Sequence, residues 1–269
     1  MTPEPKPPTD ATEVRMTLGE HLDELRRRLW KALVALLLFF LVAFVYYKQL
    51  VAFVARPHQQ AMTLLDPKRP PSPFLSGSYT QPWAAVIKLS FIVACFAASP
   101  VILYQAWRFV GAGLYPRERR WVLKFGPASF LLFIGGCVFG YLVLIPYALY
   151  GLSSGLNIDV ISPTYTFSEY LDLVMKLTLI MGVIFEMPLV MFFLAKIGVC
   201  TASMYHRWRR YAIVGNFVVA AVLTPPDVIS MFVMVVPLLF LYEVGVVLSW
   251  LFARPKPKEK AEPAPAPQG

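Results

Sequence analysis

Charged side chains are scarce in this sequence. Only 15% of its 269 residues are Asp, Glu, Lys or Arg, whereas 57% are hydrophobic and the mean hydropathy is +0.58. Soluble globular domains carry about 25% charged residues. The shortage of charge excludes a soluble globule and predicts an all-α protein that crosses a membrane several times.

Residues that commonly carry catalysis or bind metals are also few. The chain has three cysteines and three histidines, which are Cys95, Cys137, Cys200, His21, His58 and His206. Their spacing matches neither a zinc site nor a disulfide framework, and we expect the cysteines to be small packing residues. The sequence has no Gly-rich phosphate loop and no HExxH motif. We therefore predict no enzymatic activity, no metal site and no cofactor.

Long apolar runs dominate the chain instead. A membrane-spanning helix needs about 20 apolar residues, and five runs are candidates: residues 30–47, 83–107, 125–150, 171–194 and 228–252. A sixth run, residues 211–223, is shorter and would rise only about 20 Å against a hydrocarbon core of about 30 Å. Either the bilayer thins there, or Arg209 and Arg210 snorkel to the interface, or the helix begins earlier, around Trp208. Four prolines predict kinked spans: Pro127, Pro146, Pro188 and Pro237.

Basic residues cluster on one side of these spans. Most of the 25 Lys and Arg residues lie before the first span, between the second and third, between the fourth and fifth, or after the sixth. The opposite side holds Lys48, Arg56, Lys68 and Arg69. This asymmetry predicts six crossings with both termini in the cytoplasm. Because the charges flank the membrane, we predict contacts with membrane lipid and no nucleic acid partner.

Composition divides the chain into one membrane domain and two tails. Residues 1–16 and 253–269 are rich in proline and polar residues, and both segments are predicted to be disordered and cytoplasmic. Residues 17–252 form the predicted six-span domain. The long outer loop, residues 48–82, is expected to carry short helices or a cap. In the turn at 224–227, Asp227 is suited to cap the last helix.

The segment before the first span has an ordered pattern of charge. Thr17 and Glu20 form a capping box, and an apolar stripe of Leu18, Leu22, Leu25 and Leu29 follows at helical spacing. Glu20, Asp23, Glu24 and Arg28 lie on the other face. Two interpretations remain open: the acids form a binding surface, or Glu24 simply pairs with Arg28 at i, i+4.

Two glutamates interrupt the apolar runs. Glu186 lies well inside the fourth span, two residues before Pro188, and Glu243 lies at a similar depth in the sixth. Acids inside a membrane are expensive and are functional by default. We therefore predict a functional polar layer in the cytoplasmic half of the membrane, with an interhelical hydrogen bond as the alternative role for each acid.

Four motifs in order resemble the TatC family of the twin-arginine protein translocase. They are residues 21–29 (HLDELRRRL), 114–120 (LYPRERR), 185–188 (FEMP) and 223–227 (LTPPD). The resemblance implies a glove-like helical protein with a concave face in the bacterial inner membrane. It also implies binding of twin-arginine signal peptides of folded precursors, partnership with TatA- and TatB-type subunits, self-association in a receptor complex, and use of the proton-motive force.

The resemblance also assigns roles to individual residues. It implies that Glu24 and Glu118 contact the signal arginines, with Arg26, Leu29 and Phe109 shaping that site. Glu186 is expected to line the concave membrane face. Thr224 and Asp227 are implied in partner docking, although Met231 stands where some relatives have a polar residue.

Chemistry is consistent with this role, and two rivals remain. Carboxylates pair with guanidinium in a bidentate manner that lysine cannot copy. Exposed ion pairs give only about 0.2–1 kcal/mol each, whereas micromolar binding needs about 8 kcal/mol, so the apolar part of the signal must contribute most. One rival is a proton-coupled small-solute carrier with Glu186 as its relay, against which the absence of broken-helix repeats counts. The other is a non-transporting membrane scaffold.

Overall fold

Helices form nearly all of the regular structure in the computed structural model, which describes residues 18–65, 74–113, 116–154 and 166–252. In chain order the helices are α1 (Leu18–Val45), α2 (Tyr47–Val54), α3 (Arg56–Leu65), α4 (Gln81–Ala112), α5 (Pro116–Phe139), α6 (Ile145–Ser154), α7 (Phe167–Phe185), α8 (Met187–Lys196), α9 (Ala202–Leu223) and α10 (Val228–Phe252). A π-helical segment, Gly140–Leu144, joins α5 to α6. The capping box at Thr17 and the two predicted disordered tails lie outside the described residues.

Five of the long helical segments are apolar enough to cross a membrane: α1, α4, α5 with α6, α7 with α8, and α10. Helix α9 is the sixth long helix. It has 22 residues, begins at Ala202 and includes the short run at 211–223 as its second half. At 1.5 Å per residue it is about 33 Å long. The helix therefore begins before Trp208, and it is long enough to match the hydrocarbon core. The arginines in its first half explain why hydropathy alone identifies only its second half.

Proline shapes two of the spans. In the fourth span, α7 ends at Phe185 and α8 begins at Met187, so the helix is interrupted at Glu186 just before Pro188. The π-helical segment of the third span ends two residues before Pro146. Pro127 and Pro237 lie inside α5 and α10, neither of which is interrupted.

Close packing joins the third and fourth spans. A Cβ atom added to Gly136 of α5 would lie 2.4 Å from the carbonyl oxygen of Met181 in α7, and one added to Gly182 would lie 2.6 Å from Cys137 Sγ. Only glycine therefore lets the two backbones approach this closely. The main core lies around this contact, with fully buried Leu144, Leu171, Leu177, Met181 and Met234 among its members.

The two ends of the bundle differ. At one end, called here the terminal end, α1 begins and α10 finishes. At the other, called the cap end, the predicted outer loop forms α2 and α3. The Tyr141 hydroxyl donates to the carbonyl of Phe53 at 2.7 Å and the Tyr170 hydroxyl donates to that of Val54 at 2.5 Å, so α2 is tied to the third and fourth spans.

Candidate functional site

The first residues of α1 pack against the last turns of α4 at the terminal end. Arg28 of α1 is only 6% exposed. Its guanidinium pairs with Glu24 one turn earlier and donates to Gln105 Oε1 of α4 at 3.4 Å. The i, i+4 pair considered from the sequence therefore forms. It has a second effect, because a buried arginine fixes the position of the Glu24 carboxylate.

Phe109 of α4 is held against the start of α1 by an aromatic contact. The ring of His21 stacks on it with centroids 4.4 Å apart and an interplanar angle of 23°. His21 also lies close to Gly113, where an added Cβ would be 3.5 Å from its Cε1 atom. The start of α1 and the end of α4 are thus locked together, and Glu24 and Phe109 belong to one surface.

The apolar stripe of α1 is not covered by the described part of the chain. Leu22 and Leu29 are 64% exposed and Leu25 is 39% exposed. Arg26 is exposed as well. The predicted site residues Arg26 and Leu29 are therefore open to a partner or to lipid, while Glu24 and Phe109 are partly buried where α1 packs against α4.

Glu118 is placed by its backbone alone. It is the third residue of α5, which begins at Pro116, a favourable first position for proline in a helix. The terminal end therefore carries the start of α5 as well as that of α1. The side chain of Glu118 lies outside the described part of the structure.

Glu186 lies at the interruption between α7 and α8. The hydroxyl of Ser129 in α5, which is fully buried, donates to Glu186 Oε1 at 2.7 Å. The second carboxyl oxygen is buried and has no hydrogen-bond partner among the described residues. The interhelical hydrogen bond considered from the sequence is therefore present, and one polar atom is left over. Ser129 was not predicted as its partner, because no sequence pattern relates residues on different spans.

Glu243 contacts a different helix. Arg209 of α9 donates from Nε to Glu243 Oε1 at 2.7 Å, and its terminal nitrogen pairs with Oε2. This bidentate ion pair joins α9 to α10. Among the described residues, Glu243 and Glu186 therefore have different partners on different helices, Arg209 of α9 for Glu243 and Ser129 of α5 for Glu186.

Sequence reasoning missed an ion pair nearer the cap end. Lys88 Nζ of α4 lies 2.8 and 3.0 Å from the two carboxylate oxygens of Asp172 in α7 and 3.4 Å from Ser168 Oγ. The available signal was a lysine inside the second apolar run. Such a residue is costly in a membrane unless it is paired.

The predicted docking residues are engaged within the chain. The Thr224 hydroxyl donates to the carbonyl oxygen of Ala220 at 2.8 Å, and Thr224 is 7% exposed. Asp227 caps α10 as predicted, accepting from the backbone N–H of Ser230 at 2.6 Å and from its hydroxyl. The turn at 224–227 is consequently rigid and compact.

Comparison with known proteins agrees with this architecture. Residues 20–237 match the family described as Sec-independent protein translocase protein (TatC). The TatC protein of Koribacter versatilis (strain Ellin345) is 39% identical over 93% of this chain and 90% of its own length. That of Aquifex aeolicus (strain VF5) is 36% identical over 90% of this chain and 98% of its own.

Solved structures extend the likeness to three dimensions. A crystal structure described as the twin arginine translocase receptor TatC superposes with a TM-score of 0.73 at 37% identity, covering 87% of this chain and all of that one. A second crystal structure of the receptor, in the detergent DDM, gives a TM-score of 0.71. The all-helical membrane fold predicted from the sequence is therefore confirmed. This chain is a multi-pass membrane protein that belongs to the TatC family of Sec-independent protein translocase proteins.

Proposed function

We propose that the chain recognises twin-arginine signal peptides of folded precursors at its terminal end. The observation that carries this proposal is the surface shared by α1 and α4. There a buried arginine fixes the Glu24 carboxylate on the face of α1 that packs against α4, one turn from the stacked rings of His21 and Phe109, while the leucine stripe on the other face of α1 is uncovered. A fixed acid and an open apolar surface on the same helical turns are complementary to a signal that has arginines followed by apolar residues.

Glu24 and Glu118 each receive one signal arginine in this proposal. A carboxylate has about four acceptor positions, so Glu24 can keep its contact with Arg28 and accept from a second guanidinium. Glu118 supplies the other acid from the start of α5. Arg26 lies on the exposed side of α1, two positions after Glu24, and limits how the signal approaches.

The apolar stripe supplies most of the affinity. Two exposed ion pairs contribute about 2 kcal/mol at most, well short of the roughly 8 kcal/mol that micromolar binding requires. Covering Leu22, Leu25 and Leu29 removes apolar surface from water at about 25 cal/mol per Å². Leu29 and Phe109 therefore decide affinity, and the two acids decide that the signal must carry arginine.

The location and the partners of the protein are proposed from the orientation of its two ends in the membrane. The charge asymmetry supports placing the terminal end, with both termini, in the cytoplasm of a bacterial cell and the protein in its inner membrane. TatA- and TatB-type subunits and further copies of the chain are the proposed partners, docking near Thr224 and Asp227 at the cap end. Transport is driven by the proton-motive force, and the protein has a transport role rather than a catalytic one.

Glu186 acts after recognition in this proposal. It lies at membrane depth, and its second oxygen is buried without a hydrogen-bond partner among the described residues, so it can accept from a new donor once the spans around it move. The carrier alternative, in which Glu186 relays protons for a small solute, has no support from the relatives, which are described as protein translocase proteins.

Binding of a twin-arginine peptide to the purified protein is the deciding experiment. We expect saturable binding that falls sharply when both arginines are replaced by lysine, because lysine lacks the planar fork that pairs with a carboxylate. Equal binding of the two peptides would show that the terminal end does not read arginine. The proposal would then be wrong, and the scaffold alternative would be preferred.

A further inference from the structure

Two neighbouring cavities lie beside α2 and α3 at the cap end. The wider has a volume of about 920 Å³, and its wall includes the polar side chains of Arg56, Gln59, Tyr147 and Tyr150. The narrower has a volume of about 500 Å³, and its wall is almost entirely apolar side chains of α2, α4, α5 and α7. Arg56 and Leu142 belong to both walls. A polar space therefore adjoins an apolar one, and Arg56 is the cation that the described residues place at the junction.

Arg56 packs on an aromatic ring and has no carboxylate partner among the described residues. Its guanidinium carbon lies 5.4 Å from the centroid of the Phe53 ring. Phe53 in turn stacks on Tyr141 at 5.3 Å with an interplanar angle of 9°, and the Tyr141 hydroxyl is bonded to the Phe53 carbonyl. None of the ion pairs formed by the described residues includes Arg56. Its charge is thus ordered, exposed and uncompensated within the described part of the chain.

The apolar cavity has one polar atom that the fold leaves unsatisfied. Thr178 of α7 lines this cavity and is 3% exposed. Its hydroxyl has no hydrogen-bond partner among the described residues. An acyl chain offers no acceptor to this hydroxyl, so the assignment of the cavity to a hydrocarbon chain rests on its apolar wall and not on Thr178.

We propose that these cavities bind one anionic phospholipid from the leaflet at the cap end. The headgroup phosphate pairs with Arg56 and accepts from Gln59 and Tyr147, and an acyl chain enters the apolar cavity past Leu142. A soluble anion would leave the apolar cavity unfilled. An uncharged amphiphile would leave the charge of Arg56 without a partner. The lipid is also the amphiphile that surrounds this surface in a membrane, and exposed tyrosines are typical of the headgroup level.

The site does not depend on signal recognition, because it lies at the end of the bundle away from Glu24. Its test therefore uses lipid alone. The full-length protein is purified in detergent and delipidated, and retention of added phosphatidylglycerol is measured by native mass spectrometry. Phosphatidylcholine with the same acyl chains and glycerol 1-phosphate are the comparison ligands.

Arg56→Gln should weaken phosphatidylglycerol binding about tenfold, the loss expected for one charge-assisted contact. Leu142→Trp, which fills the shared wall, should also weaken it. Lys48→Gln, which removes a charge at the same end but outside both cavities, should bind as the parent does. Parent-like binding by Arg56→Gln, or an equal loss in Lys48→Gln, would overturn the proposal. So would equal retention of phosphatidylcholine, or binding of glycerol 1-phosphate as tightly as phosphatidylglycerol.

Discussion

Replacing Glu24 with glutamine should weaken binding of a twin-arginine peptide about fivefold. Glutamine keeps the size of the side chain but removes the charge that pairs with Arg28 and, in our proposal, with a signal arginine. The Glu24 side chain is 19% exposed, so the loss should approach the upper limit for surface pairs, about 1 kcal/mol. That free energy corresponds to a factor of about five in Kd. Fluorescence anisotropy of a labelled peptide on the purified protein measures it.

Three measurements separate a direct contact from a structural effect. Asp23→Asn removes an exposed acid one position away and should bind as the parent does. The thermal midpoint of Glu24→Gln shows how much stability is lost when the buried Arg28 contacts a neutral amide instead of a carboxylate. A twin-lysine peptide tests selectivity, because Glu24→Gln should lose part of the preference for arginine. If Glu24→Gln keeps both the affinity and the preference of the parent, Glu24 does not contact the signal.

Four further outcomes are expected. Glu118→Ala should weaken peptide binding as Glu24→Gln does, and a Glu24→Ala, Glu118→Ala double variant that binds normally would contradict the two-acid site. In a cysteine-free background, single cysteines at Ser72, Ser154 and Asp227 should react with an impermeant reagent added outside the cell, whereas those at Thr12, Glu118 and Ala261 should not; labelling at 261 would mean that α9 does not cross. Glu186→Ala should leave peptide binding intact but reduce transport, and Glu186→Gln, which can still accept from Ser129, should be milder; normal transport by both would leave Glu186 a structural role only. Gly136→Ala should lower the thermal midpoint by the equivalent of about 1–3 kcal/mol because its Cβ would meet the Met181 carbonyl, whereas Gly135→Ala, which has open space around it, should not; equal midpoints would contradict the close packing of α5 and α7.

Local features of this fold could be predicted from the sequence. The last span was predicted at residues 228–252 and α10 has those bounds, because its apolar run is bounded by a capping Asp227 and a basic tail. The interruption of the fourth span at Glu186 follows from Pro188, and the Glu24–Arg28 pair follows from i, i+4 spacing. Each of these features depends on residues that are close together in the sequence.

Contacts between spans were not predictable in the same way. Nothing in the sequence relates Ser129 to Glu186, 57 positions later, or Lys88 to Asp172. The sequence leaves the start of α9 open for a related reason. Arg209 makes the first half of that helix look unsuited to a membrane, and only the folded chain brings Glu243 to it. Pairing across the bundle thus determines which charges a membrane helix can carry.

The one-residue interruption at Glu186 divides the fourth span between two sets of neighbours. Before residue 186 in the chain, α7 packs mainly against α5. After it, α8 packs mainly against α10. The fourth span is therefore two helices that meet at residue 186 rather than one continuous helix. If α10 is displaced relative to α5, residue 186 is the point at which the two halves of the span can change their angle. The hydrogen bond from Ser129 lies at that point, so Glu186 is placed to respond to such a displacement.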